Sequence, residues 1–362
     1  MSEFQSKQNT IHSFMDHHQV DALLLQRISS FAWATCGAAS YINTAATLGD
    51  ASLLITPSGR FLITNNIEAT RLEKEEKLAA QGWEFRVAPW HESQQSIATL
   101  TGGLRLGADS AIAGAKDLSA QVAAMRSLLL PEEEARFRTL GKLCAQAMED
   151  AIAGVRPGQT EYEIAGLLAG ASERRGVQAI VNLIATDERI YAHRHPLPTA
   201  KKLDRYAMLV LCGRRQGLVC SITRLVHFGP LPEDLLRKQD AVARIDAEFI
   251  LSTRPGVVMA EVFKNAVAMY EETGFAAEWR NHHQGGTAAY EPRETVATQS
   301  TQAEVALHQA YAWNPSVTGT KSEDTILVGN DGNDVLTVIP GWPSISIYRK
   351  GQVLDRPAIL IK

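Results

Sequence analysis

The sequence predicts an α+β fold in two parts, and three observations point to it. The first is length: 362 residues exceed what one hydrophobic core organises, at roughly 150 residues per domain. The second is texture. Short strand-like and helix-like patches alternate up to about residue 130, after which long amphipathic helices flank antiparallel strand pairs. The third is composition: 45% hydrophobic and 21% charged residues suit a globular chain that buries a core. The expected division is a smaller α/β domain over 1–130 and a larger α+β domain over 131–362.

In the first domain Asp21-Ala-Leu-Leu-Leu-Gln reads as a buried strand after an amphipathic helix. Ala51 to Thr56, the turn Pro57-Ser58-Gly59 and Arg60 to Thr64 read as a β-hairpin. Glu68 to Gln81 reads as a charged helix ended near Gly82, and Trp83 to Pro89 as a further strand. In the second domain Phe137, Leu140, Cys144, Met148 and Ile152 recur at spacings of three and four, one apolar stripe on a helix. Pro131 before three glutamates suits its start, because acidic groups face the positive end of the helix dipole. Thr160 and Glu163 have capping-box spacing, so a second helix runs from there to Gly176. Strands follow at Tyr206 to Cys212 and Leu218 to Phe228, then helices at about Leu235 to Thr253 and Ala260 to Thr273, then a β-rich final third.

The formal net charge of −4 gives no basic field, which argues against nucleic acid or an anionic membrane as partner. The first residues are polar, without an apolar core of signal-peptide length, and no stretch approaches a membrane span of about 20 apolar residues. Cys36, Cys144, Cys212 and Cys220 lack metal-finger spacing and read as buried thiols of a reducing cytoplasm.

Histidines and carboxylates gather in four segments of the second domain. They are Tyr191 to Thr199 (with His193 and His195), Gly217 to Arg224, Asn281 to Arg293 (with His282, His283, Tyr290 and Glu291), and Trp313 to Asp324 (with Asn314, Lys321 and Glu323). Their order and spacing resemble the creatinase/aminopeptidase P/prolidase family: a His-x-x-Pro-Thr segment, an Asp-bearing hairpin ending in Ile-Thr-Arg, a Gly-His-Gly turn leading to Glu-Pro, and a final Arg-x-Glu-Asp strand. The resemblance implies a pita-bread second domain behind a creatinase-type first domain.

It also implies a two-metal site built from two aspartates, one histidine and two glutamates. Laid over this sequence without gaps, those positions fall on Val210, Ser221, His283, Asn314 and Glu323. Three of the five carry groups that bridge or chelate a hard cation poorly, and two divalent ions need carboxylates to offset four positive charges. The expectation is therefore that no metal or other cofactor serves the site. A rebuilt single-zinc site would draw on Cys212, His283 and Glu323.

His195 falls on the family's substrate-side histidine, which in creatinase is the general base and acid. The leading expectation is a metal-independent, creatinase-like hydrolase of a C–N bond in a small nitrogen-containing, cationic substrate. His195 transfers the proton, and Glu291, Glu323 and His283 polarise and bind. His193, Tyr290, Lys321 and Arg224 are the substrate-binding candidates. A structural reading instead pairs Glu291 and Glu323 with Arg224 or Lys321, and His282 points away from the site if its segment is extended. The alternatives are a metal-dependent Xaa-Pro peptidase and a non-catalytic binding protein of the same fold. The resemblance further implies a homodimer, with Arg27, Trp33 or Tyr41 near the partner's site.

Overall fold

The structure, a computed structural model, describes residues 1–92 and 96–362. The chain divides into two compact units, Met1–Arg126 with Gln216–Leu218, and Ser127–Arg215 with Val219–Lys362.

The first unit is built on a six-stranded sheet. Its order is Glu84–Ala88, Gly59–Asn65, Leu48–Thr56, Ala22–Arg27, Leu106–Ala108 and Lys116–Asp117. Ala22, Leu23, Leu24 and Leu25 are all fully buried, as a central strand covered on both faces requires. The charged helix expected over Glu68 to Gln81 is broken. It runs only over Ala69–Lys74, and a separate 3-10 turn covers Leu78–Gln81. Lys77 between them is left-handed at φ 56°, which no continuing α-helix accommodates. Trp33 is 2% exposed with the Lys7 ammonium 5.7 Å from its ring. It is a core residue, which corrects its expected place at a partner's surface. Arg27 is likewise engaged at home, donating through Nε to the Asp109 carbonyl at 2.9 Å.

In the second unit the helices Pro131–Gly154 and Glu161–Glu173 open the fold. The capping box is present: Thr160 N–H donates to Glu163 at 2.6 Å and Glu163 N–H returns a bond to the Thr160 hydroxyl at 3.2 Å, worth about 1 kcal/mol. These helices pack on a sheet ordered Leu360–Ile361, Leu218–His227, Tyr206–Arg215 and Gln178–Thr186. The strand Gln178–Thr186 was not anticipated. The hairpin is longer than expected because only Gln216 and Gly217 turn it, both at positive φ (49° and 78°), a twist that suits right-handed strands. Helices Glu233–Ser252 and Met259–Glu272 then lead to a second sheet. Its order is Thr295–Val296, Gly285–Ala288, Ala310–Trp313, Asp324–Val328 and Asn333–Val335.

The two sheets of this unit join at one seam. Thr223 N–H donates to the Glu323 carbonyl at 3.1 Å, and Ser221 N–H donates to the Thr325 hydroxyl at 2.9 Å. The period-two alternation of strands therefore brings Ser221, Thr223 and Glu323 together. Trp313 stacks against Phe249 at 4.6 Å and Tyr311 at 5.5 Å in the core beneath. Of the four free cysteines, Cys144, Cys212 and Cys220 are buried while Cys36 is only half-buried. No helix among the described residues is long and apolar enough to cross a membrane.

Candidate active site

His195 lies in the irregular segment 193–199, after the short helix Glu188–Ala192. That segment is tied at both ends. Thr199 gives its N–H and hydroxyl to Glu161 at 2.9 and 2.7 Å, and Glu161 also accepts from Thr186 N–H at 2.8 Å and pairs with Arg189. Burial alone raises the Glu161 pKa, but these donors hold it below the ordinary carboxylate range. At the other end Arg194 donates to Glu278 at 2.7 Å and to Thr318 at 2.8 Å.

His282 and His283 arrive from the other side. Buried Gln284 anchors them: its amide donates to the Trp279 and His282 carbonyls at 3.0 and 2.5 Å, and accepts from the Tyr270 hydroxyl at 2.7 Å. The glycine pair that follows permits the approach. A Cβ on Gly285 would stand 2.1 Å from the Ala312 carbonyl oxygen, and one on Gly286 would stand 1.9 Å from that of Thr295, so only glycine fits.

The result is a cluster of three imidazoles. His195 Nε2 and His282 Nε2 are 2.9 Å apart, and the rings of His282 and His283 stack at 4.5 Å. His282 was expected to point elsewhere, and its backbone is indeed extended (φ −158°, ψ 147°). It nevertheless joins the cluster, because strict alternation is imposed only from Gly285 onward, where strand pairing begins. Burial pushes all three pKa values below 6.5, assisted by the Lys321 charge. His282 falls to about 2 and His283 to about 4. All three rings are thus neutral at neutral pH.

Beside them sits Glu323, 2% exposed. It holds Lys321 Nζ at 2.8 Å, Arg293 at 2.9 Å and the Thr223 hydroxyl at 2.6 Å. Burial raises its pKa, yet the two cations and these bonds bring it down to about 2. The Arg293 guanidinium also donates to the Ser221 hydroxyl at 3.2 Å, so it bridges two of the five family ligand positions. Arg293 was missed by sequence reasoning. The available signal was a carboxylate left without its ions beside a segment ending in arginine. Glu323 was expected to bind a cationic substrate, but its charge is already answered by two cations of the chain itself.

The residues do not fit a two-metal centre. Val210 is 2% exposed in an apolar cluster with Leu183, Met208 and Leu225. Ser221 serves Arg293, and Asn314 is buried with its Oδ1 unpartnered. One carboxylate with two built-in cations offers nothing to balance four further positive charges. The Cys212 thiol contacts Ser221 Oγ at 3.3 Å, and burial with the Glu323 charge pushes its pKa up to about 11. It is a buried core thiol whose near neighbour is Ser221.

Other candidates have settled elsewhere. The Tyr290 hydroxyl is buried and donates to Glu133 at 2.5 Å, a tie to the first helix of the unit. Arg224 is committed to Asp324 at 2.9 Å and to the Thr223 carbonyl at 2.8 Å, as scaffold. Glu291 is half-buried, its N–H held by Glu294 at 3.2 Å. His193 lines a small cavity with His282 and Lys321.

Fold and motif order together define a pita-bread domain behind a smaller α/β domain. The profile of metallopeptidase family M24 matches residues 135–330, more than half of the chain, and the chain belongs to that family. An uncharacterized peptidase of Staphylococcus aureus is 22% identical over 230 residues, covering 61% of this chain. The match spans 65% of that relative's own length. The prolidase of Pyrococcus horikoshii superposes with a TM-score of 0.78 at 20% identity, covering 92% of this chain and 98% of its own. The Xaa-Pro dipeptidase of Bacillus anthracis gives 0.80 at 17% identity, covering 99% and 100%. These likenesses establish the two-domain fold.

Proposed function

We propose that the chain hydrolyses a peptide-like C–N bond in a short substrate with a free carboxylate, without the paired-ion centre of its family. One observation carries this reading: Arg293 and Lys321 both close on Glu323, leaving one surplus positive charge beside three neutral imidazoles. Surplus positive charge favours a carboxylate and disfavours the guanidino or amidino compounds expected from sequence.

His195 takes the proton of the attacking water and returns it to the leaving nitrogen. Its lowered pKa keeps a lone pair available at neutral pH, and the bond to His282 fixes the ring's orientation. Lys321 and Arg293 face the negative charge that develops on the scissile carbonyl oxygen or resides on the substrate carboxylate. The solved prolidase and Xaa-Pro dipeptidase make dipeptides ending in proline the first substrates to try.

The test is proline release from a panel of Xaa-Pro dipeptides, beside guanidino compounds, before and after chelation. Dipeptides are expected to be cleaved, with turnover surviving chelation and falling about 10²–10⁴-fold in His195→Ala. The acid limb of the pH–rate profile should lie below 6.5, since the base is lost only when His195 is protonated. A preference for guanidino compounds, or activity unchanged in His195→Ala, would overturn the reading.

The comparisons alone favour the alternative, a metal-dependent Xaa-Pro peptidase, over a metal-independent enzyme, and loss of all turnover on chelation would select that reading.

A further inference from the structure

The three imidazoles bring lone pairs together in a pattern that the paired-ion centre of the family does not use. One ring nitrogen from each of His195, His282 and His283 lies within 4.8 Å of the other two. The shortest pair is 2.9 Å apart, and the His195 and His283 centroids are 5.6 Å apart. Nitrogens that share a tetrahedral zinc ion at about 2.0–2.1 Å stand roughly 3.4 Å from one another. Reaching that spacing needs side-chain rotations of an ångström or so and no backbone movement. The frame is already held, since Gln284 fixes the pair His282–His283, while Arg194 and Thr199 fix the His195 segment.

We infer that His195, His282 and His283 form a site for one zinc-class divalent ion, which shares only His283 with the five positions of the degenerate paired-ion centre. Three imidazoles and one open position is a known zinc set, and borderline-soft nitrogen ligands select zinc, cobalt or nickel over magnesium, calcium or manganese. Arg293 and Lys321, only half answered by Glu323, oppose a second cation, so the stoichiometry is one. The consequence rests on the hydrolase reading above. An ion bound through His195 occupies the lone pair that the reaction needs, so it switches turnover off, the reverse of what metal does for a metallopeptidase.

Cobalt(II) is the probe. The full-length protein, stripped by chelator, is titrated at neutral pH while visible d–d absorption reports coordination. Plasma mass spectrometry counts ions after gel filtration. The expected result is one ion per chain with the intense bands of a four-coordinate nitrogen-rich site, displaced by zinc. Binding should weaken at least tenfold in His282→Ala and in His283→Gln, with folding checked by circular dichroism. Unchanged binding in both variants, or no ion bound at saturating cobalt, would overturn the site. Added zinc is expected to suppress proline release. If zinc raises it, the inhibitory consequence falls while the site stands. If the ion binds as described but no C–N substrate is turned over at any zinc level, the proposed function fails and the metal site survives.

Discussion

Glu323 and Asp324 are neighbours in the chain and face opposite sides of one strand. Asp324 enters a buried lattice in which it holds Arg224 at 2.9 Å and Arg356 at 2.5 Å, and Arg356 reaches Asp246 at 2.6 Å. Two carboxylates meet two guanidiniums, and the formal charge cancels. Glu323 enters a group in which one carboxylate meets two cations, and the charge does not cancel. A balanced buried lattice has no call on a ligand and reads as architecture. The unbalanced one, next to three neutral imidazoles, still has something to bind.

Substitutions sharpen that contrast. The largest effect is expected from Asp324→Asn, which leaves buried Arg356 with Asp246 alone and buried Arg224 with backbone carbonyls but no carboxylate. Urea denaturation should show a loss of about 3–5 kcal/mol, the usual cost of breaking a buried pair. A loss under about 1 kcal/mol would show that the lattice is not structural.

Glu323→Gln comes next, at about 2–3 kcal/mol, because Arg293 keeps the Ser221 bond and some solvent. This difference should depend on pH. The folded carboxyl titrates near 2, against an ordinary value of 4.5. A depressed pKa contributes stability in full above 4.5, and that contribution is lost as pH falls toward 2. Parent and Glu323→Gln denaturation curves should therefore converge across that window. Curves that stay parallel there would mean that Glu323 is not held ionised by its neighbours. Smallest is Lys321→Met, about 1–2 kcal/mol, since Glu323 retains Arg293 and Thr223.

Most of the second unit was legible because its signals are local. The apolar stripe from Phe137 to Ile152, the Thr160–Glu163 box and the hairpin turn are fixed within a few residues. The strand Gln178–Thr186 was missed because its edge is only half-buried, with a weak apolar run at its start. Within the site, motif order led to His195, His283 and Glu323. Their actual partners were hidden because they are long-range. Arg293 reaches Glu323 across 30 residues, and His282 reaches His195 across 87. A single sequence cannot show that a side chain from another loop reaches a carboxylate at a family ligand position. It shows only the missing charge. The helix over Glu68 to Gln81 failed for the opposite reason, since good helix-forming residues there were overruled by one left-handed lysine.

Val210 carries a consequence for engineering. Installing a family-type two-ion centre in this chain would have to begin with one substitution, and each first step is uphill or fruitless. Val210→Asp would bury an unanswered carboxylate among Leu183, Met208 and Leu225, costing several kcal/mol. Ser221→Asp would be captured by Arg293, which already touches that position. Val210 and Ser221 are thus each held by neighbours that oppose a single substitution to a family-type ligand.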